Sequence, residues 1–251
     1  MAIINVTMDI LKQLIDFKKE RPLKIVSLGY PDILCSSEYI ERLFGPDTTK
    51  GIRYRKDSDQ ILKYHGYANI LNGLYESYEL FDQMGIELTV LDLKELRSGE
   101  IIADFNYPIT KDLQNQFDIV YDGGTLEHCF NIAQATVNFL SMAKVGGFVY
   151  HANPLFILNH GFYNINPTFY NDFYLDNGHK LVSPIFGLKQ NFENINDKDN
   201  PRVDDIKFDL PYTERKELKE ANNTSIHVVI EKTSDKTPLW PVQTKYKSFI
   251  D

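Results

Sequence analysis

The run FDIVYDGGTLEH, residues 117–128, sets the architecture. Phe117, Ile119, Val120 and Tyr121 form a short apolar, β-prone stretch, and Asp122-Gly123-Gly124 closes it with a turn signal. A run this short and this apolar reads as a strand buried on both faces. Its neighbours repeat the pattern. LKIVSL (23–28) ends at Gly29, IELTVLDL (86–93) carries a strand to Asp92, and GEIIADFNYPI (99–109) holds a short strand ending at Asp104. Downstream, TLEHCFNIAQATVNFLSMAKVGG (125–147) reads as a helix. Its inner face is expected at Leu126, Phe130, Ala133, Val137, Leu140 and Met142, and its cap at Gly146-Gly147. GFVYHANP (147–154) is the next strand. Strands alternating with helices predict an α/β fold: a mostly parallel sheet, helices on both faces, right-handed crossovers.

Further out the signals vary. Thr7 is placed to cap a helix through Met8, Leu11, Leu14, Ile15 and Phe17, which Pro22 stops. A short helix is expected from Glu38 to Phe44, and another from Leu74 to Met84, ended by Gly85. Beyond Pro154 come a loop, a helix around Pro167 to Asp176 and a strand from Lys180. A polar section over 191–224 follows, then the strand SIHVVIEKT (225–233). The 251 residues are expected to form a single domain, with an irregular tail from about 233 that carries the only tryptophan, Trp240.

Composition narrows the function classes. A net charge of -8 argues against a duplex nucleic-acid partner, which needs concentrated basic surface. The one basic cluster, Lys18, Lys19, Arg21 and Lys24, reads as a solvated helix end. The opening residues carry Asp9 and Lys12 within their apolar stretch and predict neither a secretory nor a membrane address, so a cytoplasmic location is expected. Cys35 and Cys129 have no metal-ligand spacing and read as free thiols.

Ligands of open α/β sheets bind outside the carboxyl ends of the strands. Gly29, Asp92, Asp104 and Asp122 stand at four such ends. Any one of these Asp residues is an ordinary turn or cap residue; the series matches a nucleoside cofactor, which needs close backbone approach, a carboxylate for the ribose and a polar group for the base. YDGGTLEH with AKVGGFVYHANP, preceded by LDL and ADFNYPI, resembles the class I S-adenosylmethionine-dependent methyltransferases over roughly residues 23–185. HGFYNINPTFYNDFYLDNG (160–178) resembles a bacterial branch often associated with surface-glycan biosynthesis.

The resemblance implies a Rossmann-like sheet of seven strands whose last, SIHVVIEKT, runs antiparallel. It implies S-adenosylmethionine as cofactor, with Gly29 at the methionine part, Asp92 on the ribose, Asp104 and Phe105 at the adenine, and Asp122, Gly123 and Gly124 near the sulfonium. The family's first turn usually has two or three glycines; here Gly29 is followed by Tyr30, Pro31 and Asp32. Pro31 is expected to fix that turn while Tyr30 and Asp32 offer contacts, and Leu93 sits beside the ribose carboxylate. The long interval from Gly29 to Asp92 predicts a helical insertion over about 45–85, read equally as a lid or as a tyrosine-packed layer.

Methyl transfer to oxygen needs a base; to an amine, mainly alignment. His160, on the loop after the fifth strand, is the first candidate and His128 the second. Glu127, Asn153, Tyr163 and Tyr170 are candidate contacts for a small polar acceptor, plausibly a sugar. Glu127 and the two histidines lack diagnostic spacing, so no metal is expected. Two other readings stay open: a nicotinamide-dependent oxidoreductase, weakened by the absence of G-x-G-x-x-G, and a binding module that has lost its cofactor turn. Oligomeric state is not legible.

Overall fold

A computed structural model describes residues 1–18, 21–183, 185–190, 203–207 and 223–249. The chain opens with β1 (Ala2–Ile3), α1 (Asn5–Phe17), β2 (Leu23–Leu28), β3 (Asp32–Ile33) and α2 (Ser37–Phe44). Next come α3 (Ser58–Tyr64), α4 (Ser77–Gln83), β4 (Ile86–Asp92), β5 (Ile101–Ile102) and β6 (Phe117–Asp122). The second half holds α5 (Ile132–Met142), β7 (Ala143–Phe156), α6 (Pro167–Tyr170), β8 (Lys180–Leu181), β9 (Phe186–Gln190), β10 (Val203–Lys207) and β11 (Thr224–Glu231).

The large sheet runs β10-β9-β11-β7-β6-β2-β4-β5, with β8 also on β11. The pairs β5-β4, β4-β2, β2-β6 and β6-β7 are parallel. β11 is antiparallel to both β7 and β9, so β9 runs with the parallel set. Seven strands from β5 to β9 thus make the expected mostly parallel sheet with an antiparallel last strand, and β8 and β10 extend it. β10 falls within the section expected to lack an element; the rest of 191–222 lies outside the described residues.

Why the central strands are apolar throughout is visible in their alternation. In β2, Val26 and Leu28 face one cluster with Phe139 and Leu140 of α5, while Leu23 and Ile25 face another with Leu11 and Leu14 of α1. β6 divides likewise, Val120 to the first and Ile119 with Tyr121 to the second. Phe139 is fully buried; truncating it to Ala would cost about 3–5 kcal/mol.

Several expectations are corrected. Thr7 lies inside α1, whose first turn has no side-chain cap, and Phe17 is exposed. The long helix after β6 is broken: a 3-10 turn covers Leu126–His128, and α5 starts after Asn131, whose side chain accepts from Gln134 N. Phe130 and Ala133 consequently lie outside the core, and the buried face is Ala135, Thr136, Asn138, Phe139, Leu140 and Met142. Gly146 and Gly147 are not a cap, because Ala143 already pairs with Phe117 and the strand has begun. The helix from Pro167 widens after Tyr170 into a π-turn, Asn171–Leu175. That extra width brings Tyr170 and Tyr174 both against His151. No helix among the described residues is long and apolar enough to cross a membrane.

Candidate active site

A cavity of about 370 Å³ opens at the carboxyl ends of β2, β4 and β6. Parallel strands leave their ends and following turns free of sheet partners there, which is why four turns converge.

The first turn leaves β2 at Gly29, whose φ of 106° excludes most side chains. Its N–H donates to Leu91 O at 2.7 Å, locking the turn to β4. A Cβ here would stand 3.2 Å from Met1 Cε and 3.8 Å from Asp92 Oδ2. Met1 therefore lies against the glycine. Its Sδ accepts from Ser27 Oγ at 3.2 Å, and its Cγ would meet a Cβ on Gly123 at 2.8 Å. β1 holds it there by pairing with β3, with Asp32 N donating to Met1 O.

Tyr30 and Asp32 line the cavity but are committed to partners. The Tyr30 hydroxyl donates to Glu76 at 2.8 Å and accepts from Ser77 N at 3.1 Å, and Arg97 lies over its ring. Burial, helped by Glu76, pushes its pKa up to about 12. Asp32 accepts from the buried Arg55 and sits 3.2 Å from His65 Nε2. Burial alone would raise its carboxyl, but His65, the Met1 amino group and Arg55 outweigh this and hold it low. Arg55 also bonds Asp57 through two nitrogens. The 45–85 segment is pinned to the first turn through this arginine, and none of its residues lines the cavity.

Asp92 is half-buried on the cavity wall, with Oδ1 accepting from Leu93 N at 2.7 Å and Oδ2 facing Gly29. Leu93 is exposed beside it. Asp104 accepts from the backbone and side chain of Asn106, and Asn106 in turn receives Asn131 N at 2.8 Å. Phe105 is buried against Phe139 and turns toward the cavity between these polar groups. An apolar slot edged by carboxylates results.

Asp122 is fully buried and turned away from the cavity. Its Oδ1 accepts from Thr125 N and Leu126 N, and its Oδ2 meets His151 Nδ1 at 2.8 Å and Asn153 Nδ2 at 2.9 Å. It holds the fourth turn in shape. Asn153 continues inward: its amide also donates to Glu127 Oε2 at 3.0 Å, and its oxygen accepts from Tyr170 at 2.5 Å. With every polar atom so engaged, Asn153 and Tyr170 are corrected from substrate contacts to internal supports. Tyr163, half-buried, donates its hydroxyl to Phe130 O at 2.8 Å.

Glu127 is different. Its Oε1 is buried and has no hydrogen-bond partner. His160 Nε2 stands 3.3 Å away without forming a hydrogen bond, and His128 Nε2, at 3.8 Å, is beyond hydrogen-bond distance. The carboxylate nonetheless holds the His160 pKa above its ordinary value. Both rings are about half exposed, at 49% for His128 and 43% for His160, and their centroids are 5.1 Å apart. His128, with Gly124, Thr125 and Cys129, lines the cavity; His160 stands just outside it.

Residues that sequence reading missed are Met1, Arg97, Asn106 and Thr125. Asn106 and Thr125 lie within ADFNYPI and YDGGTLEH, Met1 and Arg97 outside any quoted run, and each reaches the cavity through a turn whose path depends on the sheet.

No protein-family model matches the chain, and no curated protein does. Solved structures give distant likenesses. A candidate methyltransferase from Bacillus halodurans shares 12% identity at a TM-score of 0.45, covering 89% of this chain and 99% of its own. The candidate methyltransferase in a complex with the Haloferax volcanii Trm112 methyltransferase activator shares 13% at 0.40, covering 91% and 93%. The CMeT domain of the citrinin polyketide synthase shares 15% at 0.32, and here the match spans 59% of this chain and 34% of that one. The strand order by itself establishes an α/β, mostly parallel sheet with an antiparallel last strand.

Proposed function

We propose that the protein transfers a methyl group from S-adenosylmethionine to an oxygen or nitrogen of a small polar acceptor, such as a sugar or sugar-linked group of a surface glycan. The observation that carries this reading is the position of β11. A dinucleotide-binding sheet runs 3-2-1-4-5-6 with all strands parallel, whereas here an antiparallel strand is inserted beside the fifth. That favours the methyltransferase reading over the nicotinamide one.

The residues present fit the cofactor. Asp92 offers a free carboxylate oxygen for ribose hydroxyls, and Phe105 with Leu93 gives apolar walls for the adenine, edged by Asp104 and Asn106. The cleft between Gly29 and Gly123 already accommodates a thioether side chain, that of Met1, which stands in for the cofactor's methionine end. Cofactor entry requires Met1 to withdraw. The bound cofactor would supply an electrophilic methyl group. The chain's task is to align the acceptor, exclude water and take a proton where the acceptor is a hydroxyl. His160 is the first choice for that proton and His128 the second, since both flank Glu127 at the cavity mouth.

The position of Met1 also favours a second reading, a binding module that no longer takes the cofactor. Titration calorimetry with S-adenosylmethionine and with NAD separates them. Saturable binding of the first alone is expected; binding of neither supports the module. Asp92→Ala is expected to weaken cofactor binding by about 2–3 kcal/mol, the worth of a hydrogen-bonded charged group. Unchanged affinity would remove Asp92 from the ribose site.

A further inference from the structure

We infer that Glu127, His128 and His160 form a binding site for a divalent transition-metal ion such as Zn²⁺. Their three donor atoms lie within 4.8 Å of one another, and Glu127 Oε1 is 3.8 and 3.3 Å from the two imidazole nitrogens. A tetrahedral ion with bonds of about 2.0–2.1 Å spaces its donors by about 3.4 Å. The two exposed rings need only small rotations to reach that spacing.

Three further features mark a built site. First, the Glu127 side chain is fully buried, and its Oε1 has no hydrogen-bond donor. A buried carboxylate oxygen without a donor is normally eliminated unless a cation faces it. Second, the other oxygen is fixed from behind: Asn153 donates to Oε2 and is itself held by Tyr170 and Asp122. Such a supporting layer orients metal ligands and is commonly as exacting as the ligands themselves. Third, glycines close the site. A Cβ at Gly161 would strike Glu127 Cγ and O, each at 2.8 Å, and one at Gly124 would come within 3.1 Å of Oε1. Phe162 N donates to Glu127 O at 2.8 Å. The loop carrying His160 is thereby folded onto the carboxylate.

Two imidazoles and one carboxylate suit Zn²⁺, Fe²⁺ or Ni²⁺ better than Mg²⁺ or Ca²⁺, which prefer all-oxygen sets. Three protein ligands leave a coordination position open. His128 on the cavity wall puts the site at the edge of the cavity. Resting on the methyltransferase reading, an ion held here would lower the pKa of an acceptor hydroxyl bound to it, whose proton would pass to solvent water, with the two histidines serving as ligands in place of the free base assigned above.

Untagged protein, stripped with a chelator, is titrated with Zn²⁺ by calorimetry and with Co²⁺ by visible absorption. One ion per chain is expected, with the intense d–d bands of four- or five-coordinate cobalt. His128→Ala and His160→Ala alter exposed rings, so folding is not at stake, and circular dichroism checks it. Each is expected to lose more than the roughly 10–100-fold that a supporting residue commands, and the double variant to bind no ion stoichiometrically. No binding by the native chain, or undiminished binding by the double variant, overturns the site. The readout is independent of methyl transfer: ion binding without S-adenosylmethionine binding retains the metal site and removes the enzyme reading, and the reverse result removes only the metal.

Discussion

The first and fourth turns of the sheet flank one cavity and handle charge in opposite ways. At the first, Asp32 is met by Arg55 and His65, and Arg55 by Asp57 as well. At the fourth, Asp122 is fully satisfied, but the next carboxylate, Glu127, keeps one buried oxygen without a donor and two half-exposed imidazoles beside it. Closed networks report on stability. A network left open at one atom, at the mouth of a cavity, is where chemistry has room to act.

The contrast can be broken by substitution. Arg55→Ala removes the buried guanidinium that bridges Asp32 and Asp57 and is expected to lower unfolding free energy by about 3–5 kcal/mol in denaturant titration. Glu127→Gln removes no donated bond at Oε1 and retains an acceptor for Asn153, so its cost should stay near or below about 1 kcal/mol. Equal losses at the two sites would end the distinction.

Turnover gives the complementary test. His160→Ala is expected to reduce methyl transfer by about 10²–10⁴-fold, whether its ring takes a proton or holds an ion, while leaving cofactor affinity within about twofold. A variant as active as the native chain would remove His160 from the site.

Acid titration sharpens the comparison further. Asp32 is held below the ordinary carboxylate range, so its contribution to stability is present above pH about 4 and is lost as pH falls through its folded value. Arg55→Ala should flatten that limb. A separate limb belongs to His227, satisfied by Tyr150 and Ser225 and pushed down to about 3 by burial. The unfolded chain takes up its proton near pH 6.5 and the folded chain does not, so stability should fall by about 1.4 kcal/mol per pH unit from there toward pH 3. His227→Gln should remove that slope; a slope that persists assigns it elsewhere.

A last test concerns Met1. Removing it frees the cleft between Gly29 and Gly123 and should tighten S-adenosylmethionine binding by about 10-fold, because displacing a buried methionine costs on the order of 1.5–3 kcal/mol of burial, partly recovered by the cofactor. Weaker binding would mean that Met1 supports the site instead of filling it.

Much of the sheet is legible because buried parallel strands are short apolar runs ended by Gly or Asp, and β2, β4 and β6 have that form. The region after β6 was misread for an equally physical reason. Phe130 and Ala133 fit a helical stripe, but Asn131 caps a new helix, and the chain between Leu126 and Asn131 instead follows the hydrogen bonds of Asp122. Gly146 and Gly147 carry a cap signal that pairing to β6 overrides.

Within the site, sequence alone determined the positions that strand ends impose: Gly29, Asp92 and the Asp122-Gly-Gly turn, because local pattern specifies where a strand stops; the strand expected to end at Asp104 stops at Ile102 instead, leaving Asp104 and Phe105 in the turn that follows. It also supplied the two histidines as reactive groups. Only the tertiary structure decided which carboxylates face the cavity and which face inward, that Met1 lies between two distant glycines, and that Glu127, His128 and His160 converge. Such outcomes depend on long-range packing and on donors from other strands, and no window of neighbouring residues contains them.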